Sequence, residues 1–138
     1  MDNNIEVTSD ATRAKLDQVS GALLRLHKAL LDDERAIYEV VNGPVTSPHV
    51  MFQIVLNHPQ FAWLGKFSSL IVLIDEAASV RRPAPEATSQ NLLVEARALL
   101  NFEIGEKIFV EQFQKAINRS MQVKDLYEEA LKSMESKL

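Results

Sequence analysis

The stretch from Pro59 to Val80, PQFAWLGKFSSLIVLIDEAASV, constrains the fold of this chain more than any other segment. It contains the only tryptophan and two of the six phenylalanines, and apolar residues occupy nearly every side of a helix drawn through it. Such a helix is stable only when other elements surround it. We therefore predict a central apolar helix over about residues 59–80. Its parts are a short turn at 59–64 and a longer helix at 66–80, with Gly65 marking a kink or a close helix crossing.

The composition is that of one globular domain. The chain has 138 residues, of which 46% are apolar and 25% are charged, and this length is sufficient for one continuous core. Its 4 glycines and 5 prolines separate periodic segments, as in helical proteins. No apolar run approaches the roughly 20 residues that cross a bilayer, so we expect no membrane interaction. The acidic, polar N-terminus is unlike a signal peptide, and we expect a cytoplasmic protein.

Cysteine content and charge narrow the function further. The chain has no cysteine, which excludes disulfides, thiol catalysis and cysteine-ligated metal sites. Its net charge of −4 is divided evenly between the two halves. Without a basic face to neutralise phosphates, nucleic acid is disfavoured as a ligand.

The first helix is predicted to be long, over about residues 10–41. Ser9 or Asp10 is a suitable N-cap, and Gly43 followed by Pro44 provides a stop. The apolar positions along this helix alternate in steps of three and four, which is a heptad pattern. They are Leu16, Val19, Leu23, Leu26 and Leu30. A helix of this length exceeds what a domain of this size needs, so we expect its N-terminal half to project and to pair with another chain.

Three further helical segments are predicted, at about 48–57, 86–100 and 103–137. The polar triplet Asn118-Arg119-Ser120 indicates either a kink or a break in the last of these. No strand-like alternation is present. The sequence therefore predicts an all-α, single-domain helical bundle of five to six helices, with residues 1–8 as a disordered leader and residues 9–138 as the domain.

Three segments resemble one known family. HKALLDDERAIYEVVNGPVTSP, PQFAWLGKFSSLIVLIDE and LLVEARALLNF follow each other in this order. In this respect the chain resembles a family of small, all-helical bacterial proteins, and the resemblance covers roughly residues 23–102. It implies a bacterial origin and one intact domain. The family carries no assigned activity, ligand or catalytic residue, so the resemblance implies no functional site.

The sequence contains neither of two standard metal-binding motifs. Di-iron bundles use Glu-x-x-His pairs, and none of the three histidines has a glutamate three residues before it. A zinc-protease motif is also absent. A looser site for one divalent metal could combine His27 and Glu34, which share a helix face, with Asp75 or Glu76. The more conservative interpretation is a half-buried His27 and a salt-bridged Glu34, and no cofactor is predicted on that interpretation.

Asp75 and Glu76 end the apolar stretch, so at least one of them is a candidate for an inward-facing acid. A buried carboxylate needs a partner or a raised pKa. Arg97, among the leucines of the fourth helix, is the expected partner, and Arg35 is the second choice. We favour a structural ion pair over a functional acid here.

The favoured function is that of a non-enzymatic helical protein that binds another protein and forms a homodimer. Its interface is predicted on the first helix, at Leu16, Val19, Leu23 and Leu26. The alternative is a metal- or small-ligand-binding bundle that uses His27, Glu34, Asp75 or Glu76. No nucleophile–base pattern supports an enzyme.

Overall fold

The computed structural model describes residues 5–135, and these residues form six α-helices and one 3-10 helix. In chain order the elements are α1 (Asp10–Asn42), α2 (Pro48–Asn57), the 3-10 helix (Pro59–Leu64), α3 (Gly65–Ala77), α4 (Glu86–Leu100), α5 (Lys107–Arg119) and α6 (Met121–Glu135). Within residues 5–135 there is no strand, and a single isolated β-bridge links Val7 to Pro85. The predicted all-α bundle is confirmed.

Helix α1 has 33 residues and lies at the centre of the bundle, with α6 and α3 as its main neighbours. The Ser9 hydroxyl caps it by accepting a hydrogen bond from the backbone N–H of Thr12 at 3.1 Å. Gly43 follows its last turn with φ of 84°, a left-handed conformation that favours glycine. The predicted long first helix is thus confirmed, and the last buried residue along it is Glu34.

The central apolar stretch is helical, but it consists of two kinds of helix. Pro59 begins the 3-10 helix, and the His58 Nδ1 accepts a hydrogen bond from the backbone N–H of Gln60 at 3.1 Å. The α-helical part starts at Gly65, the predicted joint, and ends at Ala77 rather than at residue 80. It ends early because the chain turns back, and the backbone N–H of Ala84 donates to the carbonyl of Ala77.

Aromatic rings fill the core beside this stretch. The ring centroids of Trp63 and Phe109 are 5.9 Å apart, and those of Phe67 and Phe113 are 5.1 Å apart in an edge-to-face arrangement. Tyr127 extends the cluster by meeting Phe113 edge-on at 5.5 Å. These contacts join the 3-10 helix, α3, α5 and α6 through one group of rings, whose edge-to-face pairs add to the effect of apolar burial.

The last helical region is divided into two helices. Ser120 is extended (φ −123°, ψ 120°) and separates α5 from α6. Its hydroxyl then accepts a hydrogen bond from the backbone N–H of Val123 at 3.2 Å and so caps α6. Of the two predicted alternatives, the structure has the break. The helix also begins later than predicted, since Phe102 and Gly105 have φ of 60° and 105°, which interrupts a helix before Lys107.

Residues 5–8 belong to the segment that was predicted as a disordered leader, and the structure pairs them with the chain before α4. The backbone N–H of Thr8 donates to the carbonyl of Ala84 at 2.8 Å, and that of Glu86 donates to the carbonyl of Glu6 at 2.8 Å. The Thr8 and Ser89 hydroxyls are 2.6 Å apart in a buried hydrogen bond. The remainder of the leader, residues 1–4, lies outside the described residues.

None of the helices within residues 5–135 is both long enough and apolar enough to cross a lipid bilayer.

Candidate functional site

The four residues predicted to form an intermolecular seam lie inside the single chain. Leu16, Val19, Leu23 and Leu26 have no exposed surface and belong to the main core cluster. The heptad pattern of α1 is satisfied within the monomer, because α3 and α6 cover it. The prediction that these side chains are available to a partner was therefore wrong. The N-terminal half of α1 is embedded, and the part that extends past the core is the C-terminal end.

The predicted ion pair between the central helix and Arg97 is also not formed. Asp75 and Glu76 are exposed, and Asp75 accepts a hydrogen bond from the Ser20 hydroxyl at 2.6 Å. Arg97 instead donates to the backbone carbonyl of Met134 at 3.0 Å. Arg35, the second choice, donates to the carbonyl of Val45 at 2.6 Å. The buried face of α3 continues through Ile74 to Ala77, and both acids lie between these two residues on the solvent side of the helix.

The proposed metal ligands do not converge. Within residues 5–135, no group of three or more His, Asp or Glu side chains is placed to hold a metal ion. His27 is half-buried, with its ring centroid 6.4 Å from that of Phe67. Burial lowers the pKa of His27 because it disfavours the charged imidazolium. The conservative interpretation of His27 as a partly buried ring is consistent with this placement.

Among residues 5–135 the one buried acid is Glu34, whose side chain lies at the junction of α1 and α5. Only 3% of Glu34 is exposed. Arg119 reaches its Oε1 at 3.5 Å, but the same guanidinium group is closer to the Oδ2 of Asp33, at 2.5 Å. Burial raises the pKa of Glu34, although the neighbouring Gln60 and Arg119 act in the opposite direction. Desolvation therefore outweighs the partial ion pair.

A pocket of about 620 Å³ opens beside Glu34, between the 3-10 helix and the start of α5. Its apolar walls are Pro59, Ala62, Trp63, Ile108 and Phe109. Its polar residues are Glu34, Gln60, Lys66, Glu106 and Gln112. Pockets of roughly 300–1,000 Å³ with mostly apolar walls and a few polar groups are typical of small-molecule sites.

Trp63, one of the residues that line this pocket, has an unsatisfied polar atom. Its indole Nε1 is buried and has no hydrogen-bond partner among residues 5–135. A buried N–H without an acceptor raises the free energy of the folded state by about 1–3 kcal/mol. Most buried polar atoms in proteins are paired, so this indole N–H is an exception among the described residues.

A second feature is the segment from Arg35 to Asn57, which we call the arm. It comprises the last turns of α1, the loop after Gly43 and the whole of α2, and none of its residues is buried. Several of its large apolar side chains face solvent. They are Val40, Val41, Val50, Phe52 and Leu56.

The arm is held together by its own polar contacts and by one aromatic junction. The backbone N–H of Val45 donates to the Glu39 carboxylate at 2.6 Å, and Arg35 lies 3.6 Å from the same carboxylate group. At the base, the Tyr38 ring meets His58 edge-on with centroids 5.3 Å apart. Helix α2 packs mainly on the 3-10 helix. The arm therefore has a defined shape but presents an uncovered apolar surface.

Neither feature was found from the sequence alone. The α2 sequence, PHVMFQIVLN, is as apolar as a core helix, and nothing local indicates that the rest of the chain leaves it uncovered. Its lack of Asp, Glu, Lys and Arg was a usable signal, because a short helix with no charged face needs a cover. The meeting of Glu34 with Arg119 joins residues far apart in the sequence, and no spacing rule predicts it.

Comparison of the chain with protein-family models, with characterised proteins and with solved structures finds no match. The resemblance to a family of small bacterial proteins stays a prediction.

Proposed function

We propose that this protein acts by binding a protein partner through the arm, and that this partner is a second copy of the same chain. The observation that carries the proposal is the state of α2. This helix contains no charged residue, buries none of its residues in the monomer, and exposes large apolar side chains. Contiguous exposed apolar surface of this kind marks interaction sites in soluble proteins.

Two side chains of α2 form the centre of the proposed interface. Phe52 is 58% exposed and Leu56 is 61% exposed. They are four residues apart and therefore lie one above the other on the same face of the helix. Val40 and Val41, at the end of α1, are the most exposed large apolar side chains of residues 5–135. Covering this surface would remove apolar area from water at about 25 cal/mol per Å².

A second copy suits this surface on electrostatic grounds. The chain carries a net charge of −4, so the net electrostatic interaction between two copies is repulsive. Because α2 has no charged side chain, two α2 helices can approach without placing like charges opposite each other. An isologous two-fold contact, in which each α2 packs on the other, uses the same patch twice and closes the assembly as a dimer.

Sedimentation velocity over a concentration series tests the proposal. We expect the wild-type protein to be dimeric at about 100 μM and to dissociate on dilution by mass action. The double variant Phe52→Ser/Leu56→Ser should remain monomeric. The matched control is Val72→Ser/Val94→Ser, which removes two apolar side chains of similar exposure, 54% and 65%, from outside the arm. This control should dimerise like the wild type.

Two outcomes would contradict the proposal. A wild-type protein that remains monomeric throughout the series shows that the arm does not self-associate. Equal weakening by the arm variant and by the control variant shows that general surface hydrophobicity, rather than the arm, holds the copies together. Circular dichroism of each variant confirms that the helical bundle is retained.

A further inference from the structure

The pocket beside Glu34 is separate from the exposed face of α2, and its chemistry is that of a small-molecule site. We propose that it binds a small organic cation, namely an amine that carries an aromatic or aliphatic group. In this arrangement the ammonium group lies on the Glu34 side and the apolar group lies against Trp63 and Phe109.

The walls of the pocket suit such a ligand. The rings of Trp63 and Phe109 pack edge-to-face, with centroids 5.9 Å apart and planes inclined by 63°, and both residues line the pocket. An aromatic wall accepts apolar groups, and a cation near a ring face is further stabilised by the ring quadrupole. With a volume of about 620 Å³, the pocket accommodates a ligand the size of an aromatic amine.

The charged residues of the pocket determine the sign of the ligand. Two carboxylates, Glu34 and Glu106, contribute to the wall, against one ammonium group, Lys66. Glu34 is the buried one, and its nearest guanidinium group is engaged more closely by Asp33 than by Glu34. A ligand cation would therefore complete a pairing that the protein leaves partial. Burial also raises the pKa of Glu34, which is the expected sign for a carboxylate whose desolvation outweighs its one shared ion pair.

The N-terminus of α5 favours an anion rather than a cation, but its partial charge is smaller than the full charge of a carboxylate. Helix α5 begins at Lys107, next to the pocket, and no side chain caps its N-terminus. The dipole of a helix places roughly half a positive charge at this end, which would attract an anion. Glu106 carries a full negative charge at the N-cap position and offsets this effect. The charges of Arg119 and Asp33, which pair with each other beside Glu34, cancel. The sum over Glu34, Glu106, Lys66 and the helix end remains negative, so the pocket favours a cation.

The test uses three probes of nearly the same shape and different charge: phenethylamine, phenethyl alcohol and phenylacetate. Trp63 is the only tryptophan of the chain and lies in the wall, so its fluorescence reports occupancy of the pocket directly. Titration calorimetry gives the affinities independently of the indole. We expect saturable binding of phenethylamine, with the alcohol and the carboxylate each at least about tenfold weaker, which corresponds to about 1.4 kcal/mol.

Variants then locate the site. Glu34→Gln should weaken phenethylamine about tenfold and leave phenethyl alcohol unchanged. Glu128→Gln removes the same charge from an exposed position on α6 and should change neither affinity. Ala62→Phe places a ring in the pocket from an exposed position and should abolish binding without disturbing the core.

The proposal fails in any of three cases. If none of the probes binds saturably, the pocket is not a site for compounds of this class. Equal affinity for the three probes shows an apolar cavity without charge selection. Binding that survives Ala62→Phe places the site elsewhere, even if phenethylamine is preferred.

Discussion

Glu34 is an acid that the fold buries beside a single counter-ion, Arg119, which it shares with Asp33. Burial is the main cause that raises the pKa of Glu34 above the ordinary value of 4.5; Asp33 also raises it, whereas Gln60 and Arg119 lower it. The folded protein thus binds this proton more tightly than the unfolded chain does. By linkage, the stability associated with Glu34 is complete below about pH 4.5 and is lost as the pH rises through the raised pKa.

The variant Glu34→Gln should therefore be more stable than the wild type at pH 8 and nearly equal to it at pH 4. Glutamine resembles the protonated acid and has no charge to desolvate. Urea denaturation at a series of pH values measures the difference. The control Glu128→Gln should follow the wild type. A loss of stability in Glu34→Gln at pH 8 would show that the contact with Arg119 outweighs the burial of the charge.

Glu86 responds to pH in the opposite direction. Its carboxylate accepts hydrogen bonds from Gln90 Nε2 at 2.8 Å, from the backbone N–H of Ser9 at 2.8 Å and from the Thr12 hydroxyl at 2.7 Å. These bonds, with that from Gln90 contributing most, lower the pKa of Glu86 to about 2. Since the folded pKa is below the unfolded one, this stabilisation is present above pH 4.5 and is lost as the pH falls toward 2.

We expect Glu86→Gln to remove most of this acid sensitivity. At pH 6 the variant should be less stable than the wild type, because an amide replaces an ionised acceptor of three hydrogen bonds. Between pH 4.5 and pH 2 the wild type should lose stability more steeply than the variant. Thermal melts at pH 6 and pH 2.5 distinguish the two, with Glu95→Gln on the same helix as control. Parallel pH profiles for wild type and Glu86→Gln would contradict the assignment.

At the scale of the elements, the contribution of a helix cap to the free energy of global unfolding depends on what the helix packs against. Ser120 caps α6, which packs on α1, α4 and α5. Ser47 caps α2 by accepting a hydrogen bond from the backbone N–H of Val50 at 3.3 Å, but α2 buries none of its residues. A cap contributes typically about 1 kcal/mol wherever it occurs. The contribution appears in global unfolding only if the helix unfolds with the core.

Ser120→Ala should lower the free energy of global unfolding by about 1 kcal/mol. Ser47→Ala should leave it within about 0.5 kcal/mol of the wild type, because α2 opens separately. Chemical denaturation of both variants at low protein concentration, where dimers dissociate, gives the comparison. Equal losses in the two variants would show that α2 is part of the cooperative core.

Features of a helix that depend on local sequence were predictable, and features that depend on its packing were not. Helix α1 was predicted correctly, and its N-cap, Ser9, was one of two predicted candidates, because capping and periodicity are local properties. The break at Ser120 was one of two alternatives, since a polar triplet permits both a kink and a cap. Local sequence patterns do not predict which apolar helix faces other elements of the chain will bury. Leu23 of α1 and Leu56 of α2 are the same residue type in apolar helical segments, and only the packing of the whole chain buries the former and exposes the latter.

At the scale of the whole molecule, the bundle consists of a core, which contains the buried residues, and an arm, which contains none. Every buried residue of α1 lies at or before Glu34, and the aromatic cluster joins the 3-10 helix to α3, α5 and α6. The candidate pocket lies between the 3-10 helix and α5, within this well-packed part. Pro59 contributes to the wall of the pocket and also to an apolar cleft of about 560 Å³ on α2. The candidate pocket and this cleft on α2 therefore share Pro59, at the junction of core and arm.

Hydrogen exchange measured by mass spectrometry separates these two parts of the molecule. In dilute protein, amides of α2 should exchange by local opening, much faster than those of α1 between Leu16 and Leu30, which exchange only when the core opens. If two copies pair through α2, raising the protein concentration should slow exchange in α2 and leave the α1 core unchanged, because dimerisation stabilises only the surface that it covers. The variant Phe52→Ser/Leu56→Ser should remove this dependence on concentration. Exchange in α2 that is slow at every concentration would instead show that the arm is stable by itself, and its apolar surface would then need no second copy to remain folded.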